Sequence, residues 1–78
     1  MNVTIIGTSI EVTGCPHCDD PEAENYGFTL PLRSIGDESK GRVCKMCSEW
    51  ITGRDIEVWL EENEPDLLEE IRRRSKNE

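Results

Sequence analysis

The chain has 78 residues, 35% of them apolar and 33% charged, and its 17 acids against nine bases give a formal net charge of −8. This size bounds it to one domain near the lower limit for a self-sufficient hydrophobic core, with only Tyr26, Phe28, Trp50 and Trp59 as aromatic anchors. The charge argues against a general nucleic-acid binder and against docking on anionic membranes, and it suits protein partners that carry basic patches.

The opening residues, MNVTIIGTSIEV, lack a basic leader region, and no stretch approaches the roughly 20 apolar residues of a membrane span. The expectation is a cytoplasmic chain with reduced thiols. Residues 3–12, VTIIGTSIEV, are rich in β-branched side chains and read as one bent strand, or as a hairpin turning at Gly7-Thr8-Ser9. Gly14 and Pro16 favour a turn that sets Cys15 and Cys18 at the tip of that strand. The acidic stretch from Asp19 to Asn25, with Pro21, reads as loop. Tyr26 to Leu32 reads as a second strand that Pro31 confines to an edge or ends. Residues 33–41 contain two glycines and are expected to form an exposed loop, after which Arg42 and Val43 return as a short strand to Cys44 and Cys47.

Beyond Cys47 the pattern becomes helical. Ser48 to Ile51 is expected to form one helical turn closed by Gly53. Thr52 with Asp55 three residues later resembles a capping box, and Ile56, Trp59 and Leu60 then share one helix face. The sequence NEPD, from Asn63 to Asp66, reads as a second start, with Asn63 as cap, Pro65 in the first turn and Asp66 facing the dipole. The last helix, about residues 64–75, presents Leu67, Leu68 and Ile71 on one side. Its acids lie toward its start and Arg72, Arg73, Arg74 and Lys76 toward its end, the polarity that the helix dipole favours. Residues 1–52 thus form a knuckle-bearing β unit and residues 53–76 a helical segment of the same domain.

The strongest signal is the doubled CxxC. Cys15 and Cys18 bracket Pro and His, Cys44 and Cys47 bracket Lys and Met, and 25 residues separate the pairs. Two thiolates spaced by two residues meet one metal from a tight turn, whose backbone N–H groups point at sulfur and spread its charge. All four cysteines are read as ligands of one structural Zn2+. Two disulfides would need an oxidising compartment. A redox motif carries one CxxC within a βαβ pattern, which this chain lacks, and the acidic neighbours Asp19 and Asp20 would raise a thiol pKa rather than lower it. Iron is the lesser alternative, because Asp19 and Ser48 stand where iron-binding knuckles usually have Gly. His17 is expected at an exposed knuckle position outside a shell that four sulfurs already close.

The knuckles CPHC at 15–18 and CKMC at 44–47 resemble those of the zinc-ribbon and treble-clef group of small zinc fingers, over about residues 10–52. The resemblance implies a small α+β, metal-stabilised domain of β-hairpins followed by two helices. A zinc ribbon carries both knuckles on hairpins, whereas a treble clef starts a helix at the second. The run CKMCSEWI favours the latter. The arrangement is also similar to the four-cysteine finger of small regulators that enter the secondary channel of bacterial RNA polymerase. It differs from them in its longer spacing and in the lack of an acidic coiled coil before the finger.

A closed four-sulfur shell has no position for water or substrate, and one His with no Ser–His–acid constellation adds no other chemistry. The expectation is a non-enzymatic, zinc-stabilised protein-interaction module, such as a small regulator or viral accessory protein acting on a larger host machine. An exposed Trp50 or Trp59 would be its anchor, although the scarcity of large apolar groups favours both as core. The rival is a nucleic-acid-binding finger using Arg33, Lys40, Arg42, Lys45 and Arg54 around the second knuckle, with the Arg72–Arg74 run. A third reading takes the acids as a mimic of the DNA phosphate surface.

Overall fold

The computed structural model of the chain describes residues 1–18 and 20–76. Its first half is a three-stranded antiparallel sheet of β1 (Asn2–Ile6), β2 (Ser9–Thr13) and β3 (Gly27–Pro31), in that order. Of the two readings of the N-terminal run, the hairpin holds. Ile6 pairs with Ser9 across a two-residue turn of Gly7 and Thr8. β2 is the central strand, and its alternation puts Ile10 and Val12 inward at 0% exposure while Glu11 faces solvent. Ile10 lies opposite Ile5 and Leu30, and Val12 opposite Val3 and Phe28, so one face of the sheet is apolar across all three strands. Pro31 ends β3, which is an edge strand as its missing N–H requires.

The acidic stretch is more ordered than the expected loop. Pro21–Asn25 is a short 3₁₀ helix, capped where the Asp20 carboxylate accepts the Glu22 N–H; Asp19 lies outside the described residues. A second 3₁₀ turn, Leu32–Ser34, follows β3 and buries Leu32 and Ser34. β4 (Gly41–Val43) then pairs with β5 (Trp50–Thr52) in a separate two-stranded sheet. The expected helical turn at residues 48–51 is therefore wrong. Trp50 to Thr52 is a strand because Arg42 and Val43 supply a ladder partner, a long-range option that outweighs local helix compatibility.

Helix α1 (Gly53–Asn63) starts at the expected capping box: the Asp55 N–H donates to Thr52 Oγ1, and the Thr52 N–H donates to the Asp55 carboxylate. Ile56 and Leu60 are fully buried one turn apart, and Trp59 is half-buried beside them. Asn63 does not cap the next helix. It closes α1, donating its side-chain N–H to the Trp59 carbonyl at 3.0 Å. The backbone of Glu64 serves both helices, since its N–H donates to the Leu60 carbonyl and its carbonyl accepts the Leu68 N–H. α2 (Pro65–Lys76) buries Leu68 and Ile71.

The helices fold back on the β unit. α1 packs against β5 and α2, and α2 packs against the turn at Leu32–Ser34. One apolar cluster joins Ile10, Val12 and Leu32 to Ile51, Ile56, Leu60, Leu68 and Ile71. Two charged ties reinforce the helical layer. The Glu57 carboxylate receives Arg54 from its own helix and Arg72 from α2, and Glu70 receives Arg73 and Arg74. No helix among the described residues is long and apolar enough to cross a membrane.

Candidate metal centre

Each cysteine pair sits in a connection between paired antiparallel strands. Cys15 and Cys18 follow β2 on the way to β3, and Cys44 and Cys47 occupy the loop between β4 and β5. The second knuckle thus lies on a hairpin, and α1 begins only after β5, contrary to the expectation that it leads directly into a helix. That hairpin loop is closed by two backbone bonds, from the Cys44 N–H to the Glu49 carbonyl and from the Ser48 N–H to the Cys44 carbonyl. The first knuckle is entered through Gly14 at φ +87°, where an added Cβ would lie 2.9 Å from the Met1 backbone.

The four Sγ atoms lie within 4.8 Å of one another, close enough to hold one metal ion. Cys15 Sγ is 3.7 Å from Cys47 Sγ, and Cys18 Sγ is 3.9 Å from Cys44 Sγ. A disulfide requires an S–S separation of about 2.05 Å, so these are non-bonded approaches, and all four cysteines are free thiols. A tetrahedron with metal–sulfur bonds of about 2.3 Å has S···S edges of about 3.8 Å. The donor set and its spacing fit a tetrahedral thiophilic ion.

The backbone around the sulfurs repeats between knuckles. The His17 N–H points at Cys15 Sγ at 3.3 Å, and the Met46 N–H points at Cys44 Sγ at 3.4 Å, each from two residues beyond the first cysteine. These are the donors the CxxC spacing implied. Burial pushes the Cys15 thiol up to about 12, whereas the backbone N–H groups of Cys47 and Met46 pull Cys44 down to about 7. Four thiolates cannot crowd together uncompensated, and a divalent cation held there would supply the compensation and displace the protons.

His17 lies outside the sulfur cluster, as expected, but it is not idle. Its Nε2 meets the Asp55 carboxylate at 3.2 Å and ties the first knuckle to the start of α1. No spacing rule foretells this contact, since 38 residues separate the partners. Partial burial pushes the Asp55 carboxyl up, but the Thr52 backbone N–H and the His17 ring outweigh it and hold the group below its ordinary value. Asp55 therefore stabilises the fold at pH values above its ordinary pKa, a contribution lost as the pH falls through its lowered one. Replacing His17 with Ala is expected to leave metal content unchanged and to cost under about 1 kcal/mol, because the pair is part-exposed. Metal analysis combined with a thermal melt checks both expectations.

The basic residues expected around the second knuckle divide into two sets. Arg54 is bound by Glu57. Arg33, Lys40, Arg42 and Lys45 line an open groove of about 1180 Å³ between β3 and β4, together with Tyr26, Phe28, Val43, Trp50 and Cys44. Trp50 is 45% exposed, which corrects its expected place in the core, while Trp59 does pack on the core. Comparison with protein-family models, curated proteins and solved structures returns no match to this chain.

Proposed function

We propose that the chain is a zinc-stabilised binding module with no catalytic role, built on both hairpin connections as a zinc ribbon is. The observation that carries this reading is the cluster of four sulfurs at the spacing of a tetrahedral shell, approached by the backbone N–H of His17 and of Met46. Zinc bound by Cys15, Cys18, Cys44 and Cys47 cross-links the β2–β3 connection to the β4–β5 loop. With four sulfurs bound it keeps no coordination position for substrate, so its contribution is architectural. Zinc is favoured over iron by the absence of Gly after either knuckle, although Ser48 does turn at φ +62°.

The face around Trp50 is the binding surface of this module, since it joins an exposed Trp to the cationic groove. Net charge alone pointed to a protein partner with basic patches. The placement of the charges favours the nucleic-acid reading instead, because the groove gathers bases, not acids. Elemental analysis of the purified chain is expected to return one zinc per molecule. A folded sample without stoichiometric metal would overturn the reading.

A further inference from the structure

We infer that the groove between β3 and β4 binds single-stranded nucleic acid, with phosphates against Arg33, Lys40, Arg42 and Lys45 and bases stacked on Tyr26 and Trp50. The inference deepens the binding-module reading and rests on it, because Cys44 and Lys45 of the second knuckle form part of the groove wall.

Charge is the first argument. Four of the chain's nine bases line the groove, and among the described residues no acid does. Among the described residues none of these four bases pairs with a carboxylate, whereas Arg54, Arg72, Arg73 and Arg74 all do. Eight acids fall between Asp55 and Glu70, and no residue of α1 or α2 lines the groove. The groove therefore gathers unpaired positive charge within an acidic protein.

The second argument is aromatic. Three of the four aromatic residues line the groove, and Tyr26 and Trp50 stay 44% and 45% exposed in a chain with few large apolar groups to spare. Lys45 lies over the Tyr26 ring at 5.0 Å, so cation and ring already sit side by side. Rings interleaved with cations along a groove are the combination that holds a single strand, through stacking on unpaired bases and contact with the backbone. A duplex keeps its base faces covered and gains nothing from the rings. An acidic peptide added as a strand would use the free edges of β3 and β4, but Pro31 withholds an N–H from one of them and a peptide leaves the rings without stacking partners.

The test uses zinc-loaded full-length protein and fluorescein-labelled oligo(dT), read by anisotropy, with a duplex and poly-glutamate as alternative ligands. Single-strand binding should weaken with salt at a log–log slope of roughly −3, as four phosphate contacts imply. R33E and R42E should each weaken it by about tenfold or more, and W50A by about tenfold. K76E, the same charge change at the end of α2, should leave it within about twofold. Metal content and circular dichroism are measured on every sample. Zinc-loaded, folded protein that fails to bind, that binds duplex equally well, that prefers poly-glutamate, or that responds as strongly to K76E overturns the inference and leaves the zinc reading standing. A folded sample without metal strikes at the zinc reading instead.

Discussion

Cys44→Ser is expected to abolish the compact state at neutral pH, and a chelator should do the same to the unaltered chain. Metal binding supplies on the order of 10 kcal/mol in small zinc domains, while whole domains are stable by only about 5–15 kcal/mol. The dependence is acute here because β4 and β5 have three residues each, and an isolated hairpin of that length is marginal in water. Cys15 and Cys44 are also part of the buried cluster, so losing the ion loosens core as well as knuckle. Serine keeps the volume, but its hydroxyl is neutral at pH 7 and cannot replace the thiolate donor. Acid should act in the same direction. Every ligand must be a thiolate, so lowering the pH returns protons to sulfur and releases the metal. Two-dimensional amide spectra with and without chelator, and across pH, check this. A dispersed spectrum in chelator would show that the core suffices alone.

The second large effect is expected at Gly53, the first residue of α1. Helix propensity alone says that Ala should stabilise this position by about 1 kcal/mol. The tertiary contacts reverse the sign. A Cβ on Gly53 would overlap the Ser34 carbonyl oxygen and lie 3.0 Å from that of Asp37, both backbone atoms that cannot swing aside. The same loop is bound to Gly53 at both ends of its peptide unit, because the Gly53 N–H donates to the Lys40 carbonyl and the Gly36 N–H to the Gly53 carbonyl. Gly53→Ala must push residues 34–40 off the helix start or break those bonds. A cost of about 3 kcal/mol is expected, the upper part of the usual overpacking range. In a domain of this size that lowers Tm by roughly 15 °C. A melt of the variant with zinc bound reads the effect, and an unchanged or higher Tm would contradict the close approach.

Much of this protein is written in short-range pattern. Thr52 and Asp55 mark the start of α1 because a capping box is complete within four residues. Pro31 announces an edge strand because its own ring removes the donor. The CxxC pairs announce a four-sulfur cluster that could hold a metal ion, and the alternation around Ile10 and Val12 states which face of β2 is buried. Each of these signals comes from atoms a few bonds apart.

Other features depend on partners distant in sequence, and for those local pattern is silent or misleading. Residues 50–52 become β5 through Gly41, Arg42 and Val43. Asn63 turns back to α1 although its neighbours suit the start of α2. Gly53 is indispensable because a loop nearly 20 residues earlier closes over it, and His17 finds Asp55 across 38 residues. The basic residues look alike in the sequence. Arg54 meets Glu57 within one turn of α1, but burial of the apolar cluster brings α1 and α2 together, hands Arg72 to the same Glu57, and leaves Arg33, Lys40, Arg42 and Lys45 around an exposed Trp50. Local spacing covers the pairs within a helix turn, Arg54–Glu57, Arg73–Glu70 and Arg74–Glu70, whereas the Arg72–Glu57 tie and the gathering of four bases in one groove are properties of three-dimensional proximity, set once the core has closed.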